Sequence, residues 1–187
     1  GDPENFDLKI EIAKKHNIKT ENIVVGEGID GLLGYLVRML VEPNDNVVTT
    51  DGSYPTFNYH VNGYAGLLKK IPFKEDFEDL ASLCSFSKKL RPKIVYVSNP
   101  NNPMGTFNNK TEIQAFINEV PDDTIICLDE AYADFVPDNE LIDINVNQEN
   151  LVRMRTFSKA YGLAGARVGY GIGHKNLINN FDKIRNH

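Results

Sequence analysis

Lys159 lies in Thr156-Phe157-Ser158-Lys159-Ala160-Tyr161-Gly162, where hydroxyl-bearing and small residues surround one primary amine just past an apolar run. An amine so placed can capture a carbonyl or carry a proton. Asp129 ends the apolar run Ile125-Ile126-Cys127-Leu128 and is followed by Glu130-Ala131-Tyr132. A carboxylate there is costly without compensation, so a cationic partner is expected. Ser98-Asn99-Pro100-Asn101-Asn102-Pro103-Met104-Gly105 closes another apolar run with two prolines, which cannot serve a central ladder, and its amides are expected to face a ligand. Gly26-Glu27-Gly28-Ile29-Asp30-Gly31 matches G-x-G-x-x-G, and backbone N–H groups at residues 28 to 30 at a helix start favour an anion. Taken singly, each has a plain explanation: a solvated lysine at a strand end, an aspartate cap, Asn-Pro turns, a structural glycine turn. Together they suit one ligand that carries an aldehyde, a ring nitrogen, a phenolic oxygen and a phosphate.

These segments need a frame that brings them to one place. Short β-branched runs at Ile23–Val25, Val47–Thr50, Leu67–Leu68, Ile94–Val97, Ile125–Leu128, Leu151–Met154 and Val168–Ile172 alternate with segments of helical period. That alternation predicts an α/β fold, a mostly parallel central sheet with helices on both faces. Ile29, Leu32, Leu33, Leu36, Val37 and Leu40 form one apolar stripe, the clearest helix. Further helices are expected over residues 4–16, 54–63, 77–90, 110–119 and 174–186, the fourth of these capped by Asn109. In a parallel sheet the candidate loops share the carboxyl edge, where open α/β folds bind ligands.

The glycine motif also fits a different chemistry. Asp51 ends the next strand about 20 residues past Gly31, as in a dinucleotide-binding fingerprint where the acid takes the ribose. A nicotinamide-dependent oxidoreductase domain using Gly26, Gly28, Gly31 and Asp51 is therefore an alternative. It leaves Lys159, Asp129 and Asn102 without a common task.

Ser98 to Gly105, Asp129 to Tyr132, and Thr156 to Gly165 followed by Arg167 resemble the signature blocks of the fold-type I pyridoxal-phosphate aminotransferases. The histidinol-phosphate aminotransferase branch is the nearest in look, and the likeness runs in register from about residue 4 onward. The resemblance implies that Lys159 forms the Schiff base with pyridoxal 5'-phosphate and that Asp129 pairs with the pyridine nitrogen. It implies that Asn102 and Tyr132 bond the phenolic oxygen and that Tyr54 stacks on the ring. Phosphate would fall to the amides of Gly28, Ile29 and Asp30, the hydroxyls of Thr156 and Ser158, and Arg167. The lysine is expected to be buried beside other cations. The activity implied is ping-pong transfer of an amino group between an amino acid or amino-alcohol phosphate and a 2-oxo acid, in a homodimer. Met104 stands where the family has threonine in Asn-Pro-Thr-Gly.

With 26 acidic and 20 basic side chains among 187 residues, the net charge is −6, and no dense basic cluster marks a nucleic-acid binder. No apolar run approaches membrane length, the opening Gly1-Asp2-Pro3-Glu4 is acidic, and a cytoplasmic protein is expected. Cys84 and Cys127 read as core residues; His16, His60, His174 and His187 lack ligand spacing, and no metal is expected. Phe57, Tyr59 and Tyr64 read as a core cluster. Residues 1–187 read as one cofactor-binding large domain, a piece of a longer chain whose small C-terminal domain, with the arginine that grips substrate, is missing. A catalytically incompetent remnant is the further alternative.

Overall fold

The computed structural model describes Asp2 and residues 4–184. Helices and strands alternate as α1 (Phe6–His16), β1 (Ile23–Gly26), α2 (Gly28–Leu40), β2 (Asn46–Thr50), α3 (Thr56–Gly63), β3 (Leu67–Ile71), α4 (Leu80–Leu90), β4 (Ile94–Ser98), α5 (Lys110–Glu119), β5 (Ile125–Asp129), β6 (Leu151–Thr156), β7 (Gly169–Gly173) and α6 (Lys175–Asp182). One sheet runs β1-β7-β6-β5-β4-β2-β3. Strand β7 is antiparallel to both its neighbours, β1 and β6, and the rest of the sheet is parallel. Among the described residues no helix is long and apolar enough to cross a membrane.

Burial on both faces explains why the central strands read as continuous apolar runs. Ile94 and Tyr96 of β4 join the cluster under α2, α3 and α6, whereas Val95 and Val97 join the opposite cluster under α4 and α5. The stripe of α2 is buried at Ile29, Leu32, Leu33, Leu36 and Val37, as its spacing predicts. A third cluster seats α1 on Ile23 and Val25 of β1 and on Tyr170 and Ile172 of β7. At the far edge β3 extends past Leu68 through Lys69 and Lys70, charges that protect an open strand from pairing further.

Most differences from the expected elements lie at their ends. Helix α4 begins at Leu80 and not at residue 77, because Asp79 accepts the Ser82 N–H at 3.0 Å and caps it there. Residues 77 and 78 therefore precede the helix. Asn109 and Glu112 form a reciprocal capping box on α5. The last helix ends at Asp182; residues 185 and 186 of the expected span lie outside the described residues, as does His187. Cys84 and Cys127 are buried and free, as expected. The aromatic cluster is corrected: Phe57 is buried and stacks on Tyr96, but Tyr59 is 68% and Tyr64 40% exposed. They sit on the outward side and after the end of the short helix α3, whose inward residues are Phe57 and Val61.

Candidate functional site

The parallel strands β1, β2, β4, β5 and β6 end at one rim of the sheet, so the loops after them share that edge. Strand β7 runs the other way, which brings its beginning, and Arg167 just ahead of it, to the same rim. The register fixes neighbours there: Ser98 pairs with Asp129, and Gly169 with both Thr156 and Gly26. A cleft of about 250 Å³ opens at this rim. Ile29, Asp30, Tyr54, Asn102, Asp129, Tyr132, Thr156, Ser158, Lys159 and Arg167 line it. Gly28 borders it through its contact with Arg167. The structure thus brings together every candidate carried by the aminotransferase resemblance.

At the floor of the cleft, Asp129 is buried at the end of β5. Its Oδ2 accepts the Tyr96 hydroxyl at 2.6 Å and its Oδ1 accepts the Ala131 N–H at 2.9 Å. Both hydrogen-bond partners that the chain itself supplies are neutral. Burial pushes the Asp129 carboxyl above the usual carboxylate range, opposed by these two bonds and by the charge of Lys159. The site is therefore built to take an N–H from a cationic or protonated ligand. The Lys159 ammonium stands 5.2 Å from the centroid of the Tyr132 ring. Lys159 is exposed, which corrects the expectation of burial. Its loop projects from the rim, and α1 reaches that loop where Lys15 Nζ donates to the Tyr161 hydroxyl at 2.7 Å.

The opposite end of the cleft suits an anion. Helix α2 has no side-chain cap at Glu27, so the N–H groups of its first turn are free of that competitor. A Cβ on Gly28, where φ is +76°, would lie 2.7 Å from Arg167 Nη2, so the guanidinium rests against bare backbone. A Cβ on Gly169 would lie 2.7 Å from Ile29 N, so the start of β7 closes tightly on the same turn. A guanidinium beside the positive end of a helix is unfavourable alone and favourable around a phosphate. The Asp30 carboxylate turns away to His60 Nε2 at 2.9 Å. Thr156 braces the lysine loop: its hydroxyl donates to Val168 O at 3.3 Å and accepts the Ser158 N–H at 3.1 Å.

The dinucleotide reading is corrected by topology. That fingerprint needs the acid on a strand next to the glycine strand. Here β7, β6, β5 and β4 separate β1 from β2. Asp51 is exposed, 3.7 Å from Lys70, and does not line the cleft. No metal-binding cluster of His, Cys, Asp or Glu occurs among the described residues. Two buried polar residues around the cleft escaped the sequence reading: Tyr96, which bonds Asp129, and Glu78, which bonds Ser53 and Asn101. Tyr96 passes for an apolar strand residue; its one signal is its position two residues before Ser98, on the same side of β4. Glu78 falls inside an expected helix and gives no signal.

Comparison with known proteins agrees with this geometry. The histidinol-phosphate aminotransferase of Sinorhizobium meliloti, solved with pyridoxal-5'-phosphate, superposes with a TM-score of 0.98 at 46% identity, covering 100% of this chain and 52% of that one. Histidinol-phosphate aminotransferase 2 of Carboxydothermus hydrogenoformans is 37% identical over 186 residues, 96% of this chain and 51% of its own length. L-threonine-O-3-phosphate decarboxylase of Porphyromonas gingivalis, with a TM-score of 0.80 at 24% identity over 97% of this chain and 56% of its own, shares the fold. The chain thus spans about half the length of the curated relatives it matches. The model of the family "Aminotransferase class I and II" matches residues 1–187. By that match, the chain belongs to the class I and II aminotransferases.

Proposed function

We propose that residues 1–187 are the cofactor-binding large domain of a pyridoxal 5'-phosphate-dependent aminotransferase that acts on a histidinol-phosphate-like amino donor and a 2-oxo acid. The observation that carries this reading is the convergence of an amine, a buried carboxylate with neutral partners, and an anion seat on one cleft. Identity of 46% and 37% to histidinol-phosphate aminotransferases supports the donor class. A cytoplasmic homodimer is part of the proposal. The exposure of Tyr54 and of residues 159–167 supports a neighbouring subunit over the cleft.

When bound, pyridoxal phosphate supplies an aldehyde that captures amines and a protonated ring that withdraws electrons from the substrate α-carbon. Each residue then has a task its position supports. Asp129, oriented by Tyr96 and Ala131, holds the proton on the pyridine nitrogen. Asn102 and Tyr132 donate to the phenolic oxygen, and Tyr54 covers the ring. The amides of Gly28, Ile29 and Asp30, with Thr156, Ser158 and Arg167, bind the phosphate and keep the ring from leaving. Lys159 would hold the cofactor through its amine and, once that amine is free, would take the proton from the substrate α-carbon.

Incubation with pyridoxal phosphate, borohydride reduction and peptide mass mapping test the assignment. Labelling is expected at Lys159 and lost in Lys159→Ala, which should still bind the cofactor noncovalently. Unlabelled Lys159 in the wild-type chain overturns the proposal.

A further inference from the structure

We infer that Glu78 is a positioning residue that fixes the two loops carrying Tyr54 and Asn102, and so sets the groups that face the cofactor ring. The inference rests on the pyridoxal-phosphate reading and goes beyond it, since Glu78 is outside the cleft lining. Glu78 is only 4% exposed. Oε1 accepts from Asn101 Nδ2 at 2.7 Å, Ser53 Oγ at 3.1 Å and the Ser98 N–H at 3.3 Å. Oε2 accepts from the Thr50 hydroxyl. Two of these donors, Ser53 and Asn101, immediately precede Tyr54 and Asn102 in sequence. Both loops are also joined directly: Asn101 Nδ2 donates to Ser53 Oγ at 2.9 Å and the Tyr54 N–H to Asn102 O at 2.8 Å.

The segment that carries Glu78 is itself anchored. Lys74 and Phe77 bridge across a tight turn in which Glu75 and Asp76 have φ of 51° and 66°. Thr106, past the Pro103 loop, donates to Asp76 O at 2.7 Å. The Glu78 carbonyl accepts Asn108 Nδ2 at 3.3 Å. A buried carboxylate held by neutral donors is costly compared with an apolar side chain of similar size. Its return here is geometric: one oxygen sets the spacing between the ring-covering tyrosine and the asparagine beneath the phenolic oxygen.

Hydrogen exchange on the full chain, without cofactor, separates this role from simple packing. Glutamine can keep the arrangement, because its amide oxygen still accepts three donors while its Nε2 donates to Thr50 Oγ1. Glu78→Ala is expected to speed exchange of the Tyr54 amide by about tenfold or more, since several buried donors lose their acceptor. Glu78→Gln should remain within about twofold of wild type, and β5 amides should be unchanged in both. Pyridoxal-phosphate affinity should weaken about tenfold or more in Glu78→Ala, with Lys159 still labelled at saturation, and be rescued in Glu78→Gln. If Glu78→Ala does not fold, Asn101→Ala, which removes the 2.7 Å bond to Oε1, is expected to speed the same amide. Wild-type exchange and affinity in the folded alanine variant, or no rescue by glutamine, overturn the inference. Absence of Lys159 labelling in wild type defeats the cofactor reading instead, and the exchange comparison still decides whether Glu78 holds the loops.

Discussion

Replacing Tyr96 by phenylalanine removes one hydroxyl and little else. The ring stacks on Phe57 with centroids 4.5 Å apart and planes within 10°, a contact that phenylalanine preserves. What disappears is the buried 2.6 Å bond to Asp129 Oδ2; the Ala131 N–H on Oδ1 remains. Burial already raises the Asp129 carboxyl, Glu130 adds to that rise, and the hydroxyl is the largest opposing influence, so its loss moves the group further up. A carboxyl raised on folding binds more protons in the native chain than in the unfolded one. Stability contributed by that group therefore falls as pH rises through the interval between the two values, and stays lower above it. The variant extends the interval upward. Its deficit relative to wild type should be small in acid, where Asp129 is protonated in both proteins. Above both native values it should reach about 1.5–3 kcal/mol, the worth of a hydrogen bond to a charged group. Urea unfolding followed by far-UV circular dichroism, stepped from about pH 3, below the ordinary carboxylate value, to about pH 9, measures this directly. A deficit that is absent, or constant with pH, refutes the reasoning, because the hydroxyl would then not be stabilising an ionised Asp129.

Two further predictions concern the polar seam behind the site. Glu130 is 2% exposed and bonds Arg153 Nη2 at 2.6 Å, Arg153 Nε at 2.9 Å and Arg155 Nε at 3.0 Å. Glu130→Gln leaves two buried guanidinium groups without their anion and should cost about 3–5 kcal/mol, read as a lowered urea midpoint; an unchanged midpoint contradicts the buried pairing. His16 is held down from 6.5 to about 4, first by burial and then by Arg155, Lys15 and Arg153. Between those values the unfolded chain takes up a proton that the native chain refuses, so stability falls as pH drops. The half-exposed ring is partly screened, which limits the effect to about 1–2 kcal/mol. His16→Gln should flatten that limb of a melting-temperature profile, and an unaltered slope would assign it to another group.

The large features of the fold were legible because they depend on one-dimensional patterns. Burial on both faces forces the apolar runs of β4 and β5, and the three-and-four spacing of α2 forces its stripe onto the sheet. Strand order was not legible. The glycine turn, the strand before it and the acid about 20 residues later satisfy a dinucleotide motif in sequence, and only the placement of β7 beside β1 rules it out. Helix ends were blurred for a local reason: Asp79 captures an N–H that residues 77 and 78 would otherwise have continued past.

The site divides along the same line. Lys159, Asp129, Asn102 and the glycine turn were legible because each follows a strand end and breaks its pattern, a charge or a proline where an apolar residue belongs. Tyr96 and Glu78 act at one remove and break no pattern. Tyr96 satisfies the apolar alternation of β4 with its ring while its hydroxyl serves Asp129. Glu78 sits among ordinary charged residues near a helix start, and its importance arises because β2 and β4 are neighbours in the sheet. That pairing places Thr50 and Ser98 at adjacent strand ends, so one carboxylate can reach both. A residue that contacts the ligand announces itself through its own chemistry. One that orients such a residue is defined by distances between strands, and those exist only after the chain has folded.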